Sequence, residues 1–402
     1  MKMKKKAKEA LFIGLLCSVS YLAVYIARNV LSTVTPHMVE SGAFTKEYIG
    51  DISSLFFIFY AIGQLANGFL GDKIKARYMM SLGLLLAGVV NFIFPYIVDI
   101  SSAAKIIYGL TGLFLSMIYG PMTKVVAENT HPDYMTRCSL GYSLASYLGS
   151  PLAGVLAALL SWNSVFTVSS VALFIMALLC FICLLCLEKN GVVVHNRYKT
   201  RRFDGTKRSV RESIGILIRR RILLFSLVSV LTGVVRTTVV FWLPTYFSEY
   251  LGFSPRLSAV IFTVATLAIS LTVFLAVLIY KLLRQKLYLT LLITFGASCL
   301  FFLLVYLVSL PIMNIIFIIL AIMLANAAAT MLWSMYCPSL RDTGVVSGAT
   351  GFLVFIGYIA SSASSKLFSN AVGVIGWENL ILIWCALMAF GAVITAPFAE
   401  KK

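Results

Sequence analysis

Long apolar runs separated by short polar turns dominate the chain. A membrane-spanning helix needs about 20 consecutive apolar residues, so a chain of 402 residues with short turns holds about twelve of them. Because lipid offers no hydrogen-bonding partner, each spanning segment has to satisfy its own backbone as a helix. The pattern therefore predicts an all-α membrane protein with twelve transmembrane helices. The predicted spans lie near residues 9–35, 47–70, 78–97, 103–127, 138–160, 164–187, 222–244, 257–280, 287–309, 312–335, 344–368 and 377–397.

The second half of the chain repeats features of the first half, 208 residues later. Arg28 and Arg236 each lie inside an apolar run, and each is followed by a proline eight residues further on. The turn at Gly68–Lys73 falls, after the same shift, on Ala276–Lys281. Duplication at this period predicts two six-helix parallel repeats, as in transporters built around a central site. The predicted divisions are an N-terminal half (1–188), a basic linker (189–220) and a C-terminal half (221–402).

The basic residues fall on one side of the predicted topology. They cluster at both termini, in the turns after the second and eighth spans, and in the linker, while the opposite turns carry few cations. By the positive-inside rule, both termini and the linker are predicted to be cytoplasmic in a multi-pass protein of the cell (inner or plasma) membrane. The net charge of +18 thus indicates acidic lipid heads as a partner and no nucleic acid.

The composition and the placement of the cysteines and histidines argue against an enzyme. Hydrophobic residues make up 60% of the chain and charged residues 12%, and the mean hydropathy is +0.95, far from a soluble domain. The thiols Cys180, Cys183 and Cys186 recur on one predicted helix among apolar neighbours, which indicates packing rather than a metal site. The 3 histidines are scattered in predicted turns, and no glycine-rich phosphate loop follows a strand. The sequence predicts no enzyme activity, no metal and no cofactor.

The two repeated arginines, Arg28 and Arg236, are the candidate ligand-binding residues. A guanidinium stays charged at any physiological pH and costs about 3 kcal/mol at the centre of a bilayer. Arg28 lies about 12 Å along the helix from Pro36, which places it near the middle of a core about 30 Å thick. A single arginine near a helix end commonly extends to the interface. Two at equivalent positions of a repeat instead predict that a small anion binds between the halves.

The positions of the carboxylates favour an anion exchanger over a proton-driven transporter. All 15 aspartates and glutamates fall near the ends of predicted spans or in turns. Proton-coupled carriers usually place a titratable side chain in the pathway, because a group there has to change charge between states. Permanent cations without such a relay favour anion exchange over proton-driven transport.

Several segments resemble a known family. Gly68-Phe-Leu-Gly-Asp-Lys-Ile-Lys-Ala-Arg77 looks like the signature turn of the major facilitator superfamily. Within it, Tyr21–Asn29, Val235–Tyr246 and Ser347–Tyr358 are similar to segments of the organophosphate:inorganic phosphate antiporters, and the second matches their R-x5-W-x-P-T-Y pattern. The resemblance implies the major facilitator fold. It also implies a conformational latch, which we define as Gly68, Asp72, Lys73 and Arg77.

The same resemblance implies a substrate site. Arg28 and Arg236 would bind the substrate phosphate. Tyr21, Tyr25 and Tyr60 would hydrogen-bond to the substrate or line its cavity. The polar surroundings depart from the family, since Asn29, Gln64 and Ser146 occupy positions where those antiporters often carry two lysines and a histidine.

These features together predict a carrier that exchanges an organophosphate, of the sugar phosphate or glycerol phosphate type, for inorganic phosphate by alternating access. Two alternatives stay open, namely a membrane sensor with a transporter fold and a porter for another organic anion. The expected partners are a small anionic substrate, inorganic phosphate and the lipid bilayer, and the expected oligomeric state is a monomer.

Overall fold

A computed structural model describes residues 2–42, 44–70, 74–195, 210–340 and 346–399. All regular structure in these residues is helical. The helices are α1 (Lys2–Glu40), α2 (Lys46–Leu70), α3 (Ala76–Ile97), α4 (Ser101–Leu115), α5 (Tyr119–Asn129), α6 (Pro132–Leu159), α7 (Trp162–Lys189), α8 (Val210–Arg219), α9 (Ile222–Gly233), α10 (Val240–Glu249), α11 (Pro255–Ser270), α12 (Thr272–Leu282), α13 (Leu287–Leu307), α14 (Pro311–Met331), α15 (Cys337–Ser339) and α16 (Val346–Ala399), with π-helical segments at Val234–Val239 and Leu332–Tyr336.

The predicted membrane-spanning architecture is confirmed. Within the described residues, 11 helical stretches are long and apolar enough to cross a membrane. The last of them, Ala349–Ala399, contains Gly376 at φ 76° and ψ 172°, a conformation that ends one helix and starts the next. This stretch therefore supplies two apolar helices, at the place where the sequence predicts the eleventh and twelfth spans.

Several predicted spans are interrupted, and the interruptions have local causes. The fourth span breaks between Leu115 and Tyr119, before Pro121, whose missing N–H leaves a carbonyl of the previous turn without its helical partner. The eighth span breaks at Leu271, between Ser270 and Thr272. Both of these hydroxyls donate to backbone carbonyls three residues earlier, at 2.6 Å each, and so compete with regular helical bonding.

The described residues pack as two compact units. Unit 1 comprises those of Met1–Phe44, Leu55–Gly205 and Pro255–Thr263, and unit 2 comprises those of Thr45–Ser54, Thr206–Ser254 and Val264–Lys402. Two segments therefore pack away from their own half of the sequence: the first turns of α2 join unit 2, and the first turns of α11 join unit 1. The segments 45–54 and 255–263 are themselves almost equivalent in the 208-residue repeat. The two six-helix halves, which the repeat in the sequence predicts, stay a prediction. The compact units divide the chain at other residues.

Small residues and amides hold unit 1 together. A Cβ atom at Gly112 of α4 would overlap the carbonyl oxygen of Phe56 in α2, so this glycine allows the two backbones to touch. Asn91 of α3 donates to the hydroxyls of Ser169 and Ser170 in α7, at 2.6 and 3.1 Å. Because lipid and apolar side chains are equally apolar, close approach and polar bonds of this kind are what favour helix association in a membrane.

Hydroxyl groups and ion pairs join α2 to α16 and to α10 inside unit 2. Ser54 and Ser362 share a hydrogen bond of 2.9 Å between their hydroxyls, and the adjacent Ser53 is bonded to Ser365, one turn further along α16. The Lys366 ammonium lies 3.0 Å from the Asp51 carboxylate. A second ion pair joins Lys46 Nζ to Glu249 Oε2 at 2.9 Å, and Trp377 Nε1 donates to the same oxygen at 3.0 Å.

The Gly112 contact predicts a stability effect. Gly112→Ala should lower the thermal midpoint of the purified protein, because the added methyl meets backbone atoms that cannot move aside, at a cost of about 1–3 kcal/mol. Gly296→Ala in α13 is the matched control, since no heavy atom lies within 4 Å of the place where its Cβ would stand and alanine favours a helix over glycine by about 1 kcal/mol. Equal unfolding temperatures for the two variants in one detergent would contradict this account of α2–α4 packing.

Candidate functional site

Arg28 lies on α1 among aromatic rings of unit 1. Its guanidinium carbon is 5.0 Å from the centroid of the Tyr60 ring, 5.3 Å from that of Tyr25 and 6.0 Å from that of Phe57. The electron-rich faces of such rings attract a cation, more strongly where water is scarce. Tyr60 is buried, and Arg28 and Tyr25 are half-buried. The structure thus brings together Arg28 and two of the three tyrosines that the sequence assigns to the site.

The third predicted tyrosine, Tyr21, is buried and connects Arg28's neighbours to two further tyrosines. Its ring centroid lies 4.9 Å from that of Tyr25, 5.6 Å from that of Tyr119 and 6.3 Å from that of Tyr142. Tyr119 and Tyr142 come from α5 and α6, and neither was predicted from the sequence. Only knowledge of which helices pack against α1 could have found them, because they share no spacing with Arg28.

A glycine sets the approach of α6 to this part of α1. A Cβ atom on Gly149 would overlap that of Tyr25 and would lie 2.8 Å from the Tyr25 carbonyl carbon. The repeat equivalents of these helices also meet at glycines, since a Cβ on Gly233 would lie 2.8 Å from the carbonyl oxygen of Gly357. The glycines at 149 and 357, which fall 208 residues apart in the sequence, therefore have a common role in close helix packing.

The other predicted polar residues take different positions. Gln64 is half-buried on α2, one turn beyond Tyr60 and on the same helix face. Ser146 is half-buried on α6, one turn beyond Tyr142, and its hydroxyl donates to the carbonyl oxygen of Ser143 at 2.6 Å. The Asn29 amide turns back along its own helix and donates to the Tyr25 carbonyl oxygen at 2.6 Å. The side chains at these three positions are neutral, so Arg28 is the only cation among them.

Arg236 belongs to unit 2 and lies in the π-helical segment Val234–Val239. Its side chain is exposed, whereas its neighbours Val235 and Thr238 are buried. Thr238 donates to the carbonyl oxygen of Ser361 at 3.0 Å, and Ser361 donates to that of Gly233 at 3.1 Å. The segment is therefore fixed to α16 on one side and presents Arg236 on another. The wider helical turn is a feature often found at functional positions, and no pattern in the sequence predicted it.

Both arginines lie deep within spans. Arg236 is near the midpoint of the candidate span Ile222–Glu249, about 20 Å from either end. Arg28 lies in the candidate span Lys6–Glu40, about 18 Å from its carboxyl end. Neither position allows the side chain to be explained simply as a helix-end charge.

The predicted latch is only partly described. Gly68 lies in the last turns of α2, and Asp72 and Lys73 lie outside the described residues. Arg77, in the first turn of α3, forms an ion pair of 3.1 Å with Glu188 at the end of α7, and its guanidinium lies 4.4 Å from the Tyr78 ring centroid. Glu188 was not predicted as a partner from the sequence. Arg77 thus connects α3 to α7 within unit 1, and the role of Asp72 stays a prediction.

Known proteins share this architecture. The sequence profile of the Major Facilitator Superfamily matches residues 17–365. The chain is 23% identical to the glycerol-3-phosphate transporter of Bacillus subtilis (strain 168), over 63% of this chain and 60% of that protein. It is 34% identical to the membrane sensor protein UhpC of Salmonella typhimurium over a shorter region, 19% of this chain and 17% of that protein. The matched regions thus span less than two thirds of these relatives.

A solved structure shares the fold. The crystal structure of a bacterial homologue of the human lysosomal transporter Spinster superposes with a TM-score of 0.74 at 10% identity, and the match covers 96% of each chain. At this identity the likeness concerns the fold alone.

The all-helical multi-pass fold, the arginine-bearing spans and the family match agree. They confirm the resemblance seen in the sequence, and they confirm that the chain is not an enzyme, because the proteins of this family act in transport. The chain belongs to the Major Facilitator Superfamily, as a divergent member similar to its organophosphate:inorganic phosphate antiporters.

Proposed function

We propose that this protein is a secondary transporter that exchanges an organophosphate, of the sugar phosphate or glycerol phosphate type, for inorganic phosphate by alternating access. It acts in the cell membrane with both termini in the cytoplasm. The observation that supports this most is Arg28, a permanent cation surrounded by aromatic rings deep within an apolar span. The Bacillus subtilis relative is a glycerol-3-phosphate transporter, which points to the same class of substrate.

The proposed binding chemistry follows from the side chains. A guanidinium presents a planar fork of N–H donors that matches two oxygens of a phosphate, and the charge shortens and strengthens both bonds. In our proposal Arg28 and Arg236 each bind the phosphate. Tyr21, Tyr25 and Tyr60 supply hydroxyls and ring faces for the organic part, and Gln64 and Ser146 add neutral polar contacts. Arg28 is the one cation among the residues assigned to its part of the site, which suits a substrate of modest charge.

The same charges explain why exchange is favoured over one-way transport. Without a bound anion, two permanent cations would have to pass through the occluded state unneutralised in a medium of low polarity. That cost would suppress the return of the empty carrier, so each outward movement of one anion would require the inward movement of another. The proposed latch residues Gly68, Asp72, Lys73 and Arg77 would alter the balance between states without touching the substrate.

A sensing role is the second candidate, because part of the chain is similar to a membrane sensor protein. The region similar to UhpC is 34% identical over 76 residues. A sensor would bind the same ligand and yet catalyse no flux. Purified protein in liposomes separates the two, because ligand binding without counterflow would support the sensor. The porter for a different organic anion remains the third candidate, and in that case inorganic phosphate would not compete for uptake.

The arginine sites give the first test of this proposal. Arg28→Lys and Arg236→Lys should each reduce phosphate exchange in proteoliposomes at least about 100-fold, because lysine keeps the charge but loses the planar fork. Arg256→Lys is the control, since Arg256 is exposed at the start of α11. Protein amounts and unfolding temperatures should match the unmodified protein in all three variants. Near-normal exchange in both Arg28→Lys and Arg236→Lys would remove these arginines from the site.

A second test concerns coupling. Counterflow of labelled phosphate against unlabelled phosphate or organophosphate should proceed with equal pH on both sides and should persist when an uncoupler is added. Some dependence on pH is expected, since phosphate itself titrates near neutral pH. Accumulation that required an imposed proton gradient and no counter-anion would replace exchange by proton symport. Glu128, in the last turn of α5, would then be the first carboxylate to substitute.

A further inference from the structure

Unit 2 carries a cluster of cations at one end, away from the acidic side chains that the structure describes in this unit. One part lies at the corner between α8 and α9, and the other at the turn between α12 and α13. We name this cluster the basic rim and define it as Arg219, Arg221, Lys281, Arg284 and Lys286. The side chains of Arg219, Lys281, Arg284 and Lys286 are exposed or nearly so.

The backbone of the basic rim is unusual. In the described residues, the left-handed conformation occurs outside glycine at Arg221, Arg284 and Gln285 alone, with φ of 62°, 54° and 60°. This conformation is unfavourable for residues with a Cβ atom. All three positions belong to the two corners that present the cations. Backbone strain of this kind tends to persist where the presented side chains have a use.

Aromatic contacts fix the two corners next to each other. The Arg221 guanidinium carbon lies 4.2 Å from the centroid of the Phe398 ring and 4.9 Å from that of Tyr288. Tyr288 is in the first turn of α13, two residues after Lys286. The Tyr336 hydroxyl donates to the Arg220 carbonyl oxygen at 3.1 Å. The α8–α9 corner is thereby held against the start of α13, and the cations of both corners share one surface.

The acidic side chains that the structure describes in unit 2 lie at the end of the unit opposite the basic rim. The acidic side chains that the structure describes in this unit are Glu47, Asp51, Glu249 and Glu378, and two of them pair with Lys46 and Lys366. Glu249 ends the span that begins at Ile222, beside Arg221, and a span of 28 residues is about 40 Å long. In unit 1, by contrast, Lys75 and Arg77 have Glu188 within 3.9 and 3.1 Å. Among the described side chains of unit 2, the acidic ones thus lie away from the basic rim, and the exposed cations of the rim can contact an external anion.

The position of the rim identifies that anion. Spans begin at Ile222 and Leu287 and one ends at Leu282, so the cations stand where helices leave the apolar layer and lipid phosphates lie. Below them, Phe274, Leu278 and Leu282 follow one another at helical spacing on α12, and each is more than half exposed. A cationic corner above an exposed apolar stripe matches a molecule with a phosphate head and an acyl chain. A soluble phosphate would use the cations but not the stripe.

We propose that the basic rim is a binding site for an anionic phospholipid. The headgroup phosphate bonds to Arg284, Lys286 and Arg219, and one acyl chain lies along Phe274, Leu278 and Leu282. This site is separate from the proposed substrate arginines and does not depend on the transport reaction.

Native mass spectrometry of the full-length protein in detergent tests the proposal, with phosphatidylglycerol and phosphatidylcholine of identical acyl chains as probes. The unmodified protein should retain phosphatidylglycerol preferentially. Arg284→Gln and Lys286→Gln should each weaken its retention about fivefold, the contribution expected of one cation near a charged lipid surface. Retention of phosphatidylcholine should not change, and this also verifies that the variants are folded. Arg256→Gln, which removes one exposed cation outside the rim, should behave as the unmodified protein.

Three outcomes would overturn the proposal. The first is equal retention of both lipids by the unmodified protein. The second is a loss in Arg256→Gln as large as that in Arg284→Gln, which would show a general effect of net charge. The third is displacement of the lipid by millimolar inorganic phosphate, which would make the rim a site for soluble anions.

Leu278→Ser, which interrupts the apolar stripe and leaves every cation in place, should also weaken retention of phosphatidylglycerol.

Discussion

The absence of water within a bilayer is the constraint on which this structure depends. Without water, backbone N–H and C=O groups must form their hydrogen bonds within helices. Every permanent charge at membrane depth must be stabilised by groups close to it. The chain meets the first demand with helices throughout its described residues. It departs from regular helix geometry where proline or a hydroxyl alters the bonding, as at Pro121 and Thr272. It meets the second demand by keeping carboxylates at helix ends and by surrounding Arg28 with aromatic rings.

Polar groups have three separate uses in this protein. Inside the units, hydroxyls and amides such as Ser362 and Asn91 join helices, where apolar contact alone would not favour association over lipid. Deep in two spans, Arg28 and Arg236 carry permanent charges that bind the substrate anion in the proposed function. At one end of unit 2 lie the exposed cations of the basic rim, while Glu249 and Asp51 of the same unit form ion pairs with Lys46 and Lys366 at the other end.

The sequence was sufficient to predict those features that follow directly from a simple physical requirement. Span number followed from the length of apolar runs, and the candidate arginines followed from charge within such runs. The tyrosines from α5 and α6 were missed, because Tyr119 and Tyr142 reach Tyr21 only through tertiary packing. The π-helical segment around Arg236 was also missed, and so were the bonds from Thr238 to α16 that accompany it, because no local pattern encodes them. The pairing of Arg77 with Glu188 joins residues far apart in the chain. The misses therefore concern partners brought together by tertiary packing and one local change of helix type.

The first turns of α2, residues 45–54, pack in unit 2 and so add a constraint on transport if the protein works by alternating access. The first turns of α2 are bonded to α16 by two hydroxyl pairs and the Asp51–Lys366 ion pair, and Lys46 pairs with Glu249 of α10. Any movement that separates residues 1–188 from 221–402 has to break these bonds or bend α2. Hydrogen bonds between helices in a membrane contribute about 0.6 kcal/mol each on average, so the hydroxyl contacts resist only weakly. A ligand shifts such an equilibrium only by the difference in its affinity for the two states. Charge-assisted bonds to the arginines are individually stronger than these hydroxyl contacts. A substrate that makes such bonds in one state alone would outweigh the hydroxyl contacts, while the two ion pairs add to the cost of the change.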